Sequence, residues 1–162
     1  MKIIENYDEI KVTENKPTLS VGGHECVIKN VKHFEYNGVR KVSLELDIAT
    51  GEFKDYYQNK YDERGENAKY WDDGATLTFL EEPKEDKDKS YFKGLLTAIQ
   101  SYNPNYKWNW DEETLKSLKI NCNFSLKEYQ GNDGNVYTKP QVSRFVNSKD
   151  NFKKDYVPPV RT

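Results

Sequence analysis

The amino-acid sequence predicts a mainly β fold, and three observations support this prediction. Two segments, 40–48 and 119–127, alternate between apolar and polar residues, the pattern of strands with one buried face. Between them, apolar residues at helical spacing predict one amphipathic helix. Turn-forming dipeptides separate the strands. The order strand, strand, strand, helix, strand, strand is that of an OB-fold. We therefore expect an OB-fold-like, five-stranded β-barrel with one helix between strands three and four and a short second helix. The alternative is a small antiparallel sheet with a helix across one face.

The first two strands are predicted to form a hairpin. An apolar-rich run, 24–34, is followed by Asn37-Gly38, a strong signal for a two-residue hairpin turn. The next strand, 40–48, completes the hairpin. Its buried face is predicted to consist of Val42, Leu44, Leu46 and Ile48.

The middle of the chain predicts less regular structure. Residues 53–61 form a plausible short strand or extended edge, in which the adjacent Tyr56 and Tyr57 would point to opposite faces. One of the two tyrosines would then be buried and the other available. Residues 62–74 read as a polar insertion, and 75–80 as a short apolar strand.

The helix is predicted from an apolar stripe that begins at Phe92. Ser90 is a suitable N-cap residue, and Asn103-Pro104 is expected to end the helix. The stripe, at positions i, i+3, i+4 and i+7, consists of Phe92, Leu95, Leu96 and Ile99.

A short second helix is predicted over 112–117, with Asp111 as its N-cap. Trp110 and Leu115 then have the spacing of a hydrophobic staple, so Trp110 is expected to be structural. Trp108 is expected to pack beneath the loop between the two helices.

Two further strands close the predicted set. The strand 119–127 buries Cys122 as a small core residue, and a turn-rich loop leads to a last run, 136–146. Pro140 in this run favours an edge strand or a bulge, because proline cannot donate a backbone hydrogen bond.

The predicted domain organisation has three parts. Residues 1–20 form an N-terminal arm, residues 21–147 form the OB-like domain, and residues 148–162 form an extended C-terminal tail with some polyproline character.

Composition excludes several classes of protein. Net charge is −2, from 25 basic and 27 acidic residues, and aromatics make up 14%. No apolar run is long enough for a membrane span, so we expect no membrane partner. Two cysteines without a disulfide framework, and a polar N-terminus, favour the cytoplasm. Charge is uneven, because 42–90 is acidic and 91–162 is basic.

Catalytic signatures are missing from the sequence, so we expect no catalytic site, cofactor or metal. No phosphate-binding loop, dinucleotide-binding or zinc-protease motif occurs. The acidic pairs Asp72-Asp73 and Glu81-Glu82 lie in polar loops and read as solvated. The two cysteines and two histidines lack zinc-finger spacing, so we expect no zinc site.

The two hairpin loops are the candidate nucleic-acid interface. Each has a flexible turn flanked by tyrosine and basic residues, and OB-folds use these loops beside the face of strands two and three. Tyrosine rings can stack on unpaired bases, and lysine or arginine can neutralise phosphates. Equally, tyrosine next to a turn packs well across strands, so a purely structural role stays open. The candidate binding residues are Tyr36, Arg40, Lys41, Lys127, Tyr129, Tyr137 and Lys139.

Five segments of the chain carry a resemblance to a protein family: 22–28, 44–53, 91–95, 103–108 and 128–134. On these segments the chain resembles a family of phage-encoded proteins that are regarded as similar to single-stranded-DNA-binding proteins. The family belongs to the recombination and replication modules of Gram-positive phages and mobile elements. The resemblance spans most of the chain. It implies an OB-like fold and a role in phage DNA metabolism inside the bacterial host cell.

The sequence thus leads to two functional hypotheses. The first is a non-catalytic single-stranded-DNA-binding protein, working beside a phage annealing recombinase or replication protein. The alternative is a phage protein-interaction module that inhibits or recruits a host or phage protein. Steep weakening of binding with salt would favour the first hypothesis.

Overall fold

A computed structural model describes residues 1–10 and 17–160 of the chain. Its strands are β1 (Gly22–Tyr36), β2 (Val39–Ile48), β3 (Thr76–Leu80), β4 (Lys119–Gln130) and β5 (Val136–Val142), and its helices are α1 (Tyr56–Arg64) and α2 (Asp86–Tyr102). The strands form one antiparallel sheet in the order β3-β2-β1-β4-β5. The mainly β prediction and the helix between the third and fourth strands are confirmed. Hydrogen bonding among the described strands leaves β3 and β5 as edges, so the sheet is not closed into a barrel.

Strand β1 is the central strand of the sheet, and it pairs with a different neighbour along each part of its length. Its first part, Gly22–Val27, pairs with β4, and its part from Cys26 onward pairs with β2. The register with β2 shifts between Ile28 and Asn30, the mark of a β-bulge. The β1–β2 turn therefore lies at one end of β1, and the β4–β5 hairpin extends beyond the other end.

The two edges of the sheet approach each other without pairing. A 3-10 turn, Asp73–Ala75, precedes β3 and lies against β5. Gln141 Nε2 donates a hydrogen bond of 3.2 Å to the Asp73 carbonyl, and Gly74 packs onto the backbone carbonyl of Pro140. Pro140 lies on an edge strand, as its chemistry predicted. The sheet is therefore strongly curled.

We expect Gly74→Ala to destabilise the fold by about 1–3 kcal/mol, because the added Cβ would overlap the Pro140 carbonyl oxygen, a backbone atom that cannot rotate away. Urea unfolding followed by circular dichroism measures the loss. Gly94→Ala is the matched control: nothing lies near its Cβ position within α2, and alanine favours a helix. Equal stability of Gly74→Ala and the unaltered protein would refute the close approach of the two edges.

Helix α2 covers the core as predicted but begins earlier. Its N-cap is Glu85, and Ser90 lies within the helix. Asn103 ends the helix and ties it to β4, because its Nδ2 donates to the Ile99 and Lys119 carbonyls at 2.8 Å and its Oδ1 accepts from Lys119 N at 3.0 Å. The buried stripe of α2 consists of Leu95, Leu96, Ala98 and Ile99.

The predicted strand 53–61 is wrong, since most of this segment forms helix α1. The cause is a non-local cap: the carboxylate of Asp47 accepts hydrogen bonds from Tyr57 N at 2.9 Å and Gln58 N at 3.1 Å. Tyr57 is buried and Tyr56 is half-buried, so the division between the two tyrosines holds although the element differs.

Asp47 itself departs from the predicted alternation of β2, which placed it on the wet face. It is buried. Burial raises the pKa of its carboxyl group, while the hydrogen bonds from Tyr57, Ile48 and Gln58 act in the opposite direction.

The second helix is a 3-10 turn, Glu112–Leu115, capped by Asp111, whose Oδ1 accepts from Glu113 N at 3.1 Å. The staple prediction is wrong: Leu115 is buried, but Trp110 is 79% exposed. Trp108 packs against the core, as expected.

The chain after β5 folds back over the sheet, and the last strand ends at Val142 rather than 146. Gly23 N donates to the Lys154 carbonyl at 2.6 Å. Asn123 Nδ2 donates to the carbonyls of Lys153 and Tyr156, each at 2.8 Å. Part of the predicted tail therefore covers β1 and β4.

The N-terminal arm is exposed along most of its described length. In the predicted arm, 1–20, residues 1–10 contain one 3-10 turn and are exposed, Leu19 is buried in the core, and 11–16 lie outside the described residues. Within 1–10 and 17–160, no helix is long and apolar enough to cross a membrane. The same residues contain no group of three acidic, histidine or cysteine side chains able to hold a metal ion.

Candidate nucleic-acid interface

The β4–β5 hairpin brings four of the predicted binding residues onto one face. Lys127 lies opposite Lys139, and Tyr129 lies opposite Tyr137. Because side chains alternate between faces along a strand, both cross-strand pairs share a face. The two tyrosine rings lie 5.9 Å apart at 32° and are 43% and 42% exposed. They pack on each other and still present ring surface to solvent.

The tip of this hairpin is fixed by Asp133. Its carboxylate accepts hydrogen bonds from the Tyr137 hydroxyl and from Asn135 N, the latter at 2.9 Å. These bonds, that from Tyr137 foremost, lower the pKa of Asp133. The Tyr137 ring is thereby held in one orientation beside Gly131.

Lys139 is less available to bind a phosphate than the sequence predicts, because its charge is already paired. Its ammonium group is paired with the carboxylate of Asp73 and lies 3.9 Å from Asp72 Oδ1. Partial burial acts to raise the pKa of Asp73, but Lys139, helped by Lys127, outweighs it and lowers that pKa. Lys127 forms no ion pair within the described part of the chain, so it is the available cation of the hairpin face.

A groove of about 650 Å³ extends this face, and the sequence analysis did not identify it. Trp71 is anchored by its Nε1, which donates to the Leu46 carbonyl at 2.8 Å. Arg64 donates to the Tyr70 carbonyl at 2.8 Å, and its guanidinium lies 5.4 Å from the centre of the Tyr61 ring. Lys60 Nζ lies 3.1 Å from Asp72 Oδ2. The groove residues beyond the predicted set are Lys60, Glu63, Arg64, Tyr70, Trp71, Asp72 and Asp73.

The signal for this groove was present in the sequence. Residues 61–71 contain three aromatic and two basic side chains, the types that bind nucleic acid, among three acidic ones. Their placement depends on α1 and its non-local cap, which no local pattern reveals, so the prediction of a polar insertion over 62–74 misses the groove.

The other three predicted residues lie at the β1–β2 hairpin. Tyr36 is 63% exposed, and Lys41 Nζ lies 5.8 Å from the centre of its ring. Arg40 Nε is 3.2 Å from Glu81 Oε2, and the Arg40 carbonyl accepts from Glu81 N at 3.1 Å. Of the two predicted cations at this hairpin, Arg40 is therefore ion-paired, and Lys41 forms no ion pair with the described residues.

Strand register separates the two groups of candidate residues. The β1–β2 turn follows Tyr36, the last residue of β1, whereas the β4–β5 hairpin extends beyond Phe124, which lies opposite Gly22 at the start of β1. The candidate interface is thus two clusters at the two ends of the central strand.

Both clusters combine exposed aromatic rings with cations, the side chains that stack on bases and neutralise phosphates. The chain matches no protein-family model, and a search of curated proteins gave no match to it.

Proposed function

We propose that this protein is a non-catalytic single-stranded-DNA-binding protein of phage recombination or replication. The observation that carries the proposal is the β4–β5 hairpin face, where the paired Tyr129 and Tyr137 rings lie beside Lys127, which has no ion pair among the described residues, and a groove that adds two more aromatic residues and charged residues of both signs. This surface offers stacking planes and positive charge at the same place.

The geometry favours single strands over duplex DNA. Rings that are partly exposed and fixed by a neighbouring ring can stack only on bases that are unpaired, since duplex bases already stack on each other. The tyrosine hydroxyl of Tyr137 is held by Asp133, so little ordering is required on binding.

An OB-fold-like arrangement is part of the proposal. The strand order β3-β2-β1-β4-β5, the helix between β3 and β4 and the approach of both edges support it. The setting is the cytoplasm of the bacterial host, with a phage annealing recombinase or replication protein as partner. That setting depends on the family resemblance of the sequence.

In a polarisation assay with labelled oligo-dT, we expect the protein to bind single strands better than duplex.

Tyr129→Ala should weaken binding by about 1–3 kcal/mol through loss of a stacking plane. Lys127→Gln should reduce the slope of log affinity against log salt by about 0.7, one phosphate contact on a single strand.

Tyr7→Ala is the matched control, because this tyrosine is exposed, lies in the N-terminal 3-10 turn and does not line the groove of the interface. It should leave the affinity unchanged. Equal binding to single strands and duplex, or no binding at low salt, would contradict the proposal. A Tyr129→Ala variant that binds normally but unfolds earlier would show that Tyr129 is cross-strand packing only.

The alternative is a protein-interaction module that inhibits or recruits a host or phage protein. The pairing of Lys139 with Asp73 favours it, because this pairing reduces the positive charge of the hairpin face. Binding of this kind would depend less steeply on salt, so the same salt series separates the two functions.

A further inference from the structure

A second groove, of about 730 Å³, lies between α2 and the edge of the sheet near the β1–β2 hairpin. Phe79 and Val42, which are paired in β3 and β2, form its floor. Its wall is aromatic and consists of Phe92, Trp108 and Trp110. None of these residues belongs to the interface described above.

Trp110 is the most unusual residue of this groove. Its backbone φ is +65°, a conformation that costs a bulky residue free energy, and its side chain is 79% exposed. The ring lies 5.8 Å from Trp108 and 6.5 Å from Phe92. The fold thus holds a large aromatic ring in a strained position while leaving most of it in water, which packing alone does not explain.

Trp108 adds an unused hydrogen-bond donor. Its backbone N donates to Gln100 Oε1 at 2.9 Å, which fixes the residue against α2. Its ring nitrogen, Nε1, is buried and has no acceptor among the described residues. A buried donor without a partner is costly, so packing alone does not satisfy Trp108 either.

The charges around the groove favour an anion. Of the two carboxylates that line it, Glu81 is paired with Arg40 at 3.2 Å, while Glu112 Oε1 lies 3.2 Å from His33 Nε2. Lys89 and Lys93 lie one turn apart on α2, line the same groove, and form no ion pair within the described part of the chain. With Glu81 paired to Arg40, two lysines and one carboxylate remain, so the net charge of the groove lining is positive.

We infer that this groove is a second contact for single-stranded DNA, in which a base stacks on Trp110 and its phosphate lies near Lys89 and Lys93. Continuity supports this path: the Arg40–Glu81 pair joins the groove to the β1–β2 hairpin, where Tyr36 and Lys41 are exposed. The inference rests on the proposed function and extends it to the other end of β1.

The test compares a short oligo-dT of about 4 nucleotides with one of about 20, because OB-type sites cover about 4–16 nucleotides. Trp110→Ala should weaken binding of the long oligonucleotide about 5- to 150-fold, the range expected for loss of one stacked base. Trp110→Phe, which keeps an aromatic plane, should retain most of the affinity. Replacing Lys89 and Lys93 together by glutamine should reduce the salt dependence of binding the long oligonucleotide.

The outcomes separate this inference from the proposed function. If the unaltered protein binds neither oligonucleotide, the proposed function fails and the inference with it. If it binds the long one and Trp110→Ala binds equally well, only the groove inference is overturned, and the groove is left to a protein ligand. Unchanged urea unfolding of Trp110→Ala, expected for so exposed a ring, establishes that a loss of binding is not a loss of fold.

Discussion

Replacement of Phe124 by alanine is expected to lower the free energy of unfolding by about 3–5 kcal/mol. Phe124 is fully buried and joins three elements. It lies opposite Gly22 of β1, its ring stacks at 6.4 Å on Tyr57 of α1, and it contacts the His24 ring edge-on at 5.6 Å. Its removal therefore leaves a cavity where α1 meets the sheet. Urea unfolding followed by tryptophan fluorescence measures the loss.

Leu126→Ala is the matched control, since Leu126 lies on the same face of β4 two residues further on but is 39% exposed. Its truncation should cost clearly less, because little buried area is lost. If both variants lost the same small amount, under about 1 kcal/mol, α1 would not pack on β4 as described.

Leu96→Ala is expected to destabilise the fold by about 2–5 kcal/mol, the usual range for a leucine truncated in a core. Leu96 lies in the middle of the apolar stripe of α2 and is buried against the sheet. Thermal or urea unfolding followed by far-ultraviolet circular dichroism provides the measurement.

Thr97→Ala serves as its control, because Thr97 is exposed and its hydroxyl donates only to the Lys93 carbonyl of the same helix. We expect a change within about 0.5 kcal/mol for this surface position. A Leu96→Ala variant as stable as Thr97→Ala would mean that α2 does not cover the core.

The parts of the fold that could be predicted from sequence are those whose signals are local. The alternation in β2 and β4 identified both strands, and Asn37-Gly38 marked the hairpin, where both residues adopt positive φ. The apolar stripe of α2 gave its position to within a few residues.

The errors arose where a distant residue decides the outcome. Helix α1 depends on the Asp47 carboxylate, ten positions before Tyr57, and no periodicity in 53–61 reveals that cap. The staple at Trp110 followed a correct local rule, but the positive φ of this residue turns the chain so that the ring faces the groove beside α2.

The candidate site shows the same division. The cluster on the β4–β5 hairpin was predictable because the turn length sets the register, and the register sets which side chains share a face. The contributions of Arg64, Tyr70 and Trp71 were not predictable, since they reach the hairpin only through α1 and the chain that follows it.

The position of β1 in the sheet has a kinetic consequence. Its pairing with β2 closes a two-residue turn, whereas its pairing with β4 joins Gly22 to Phe124 across most of the chain. Closing so long a loop costs entropy before any contact compensates for it, and non-local pairing slows folding. The β1–β2 hairpin can therefore form early in folding. In that intermediate, the edge of Gly22–Val27 that later pairs with β4 is still unpaired. Such an open edge can pair with strands of other chains. Aggregation is therefore expected to compete with folding most strongly when the concentration of incompletely folded chains is high.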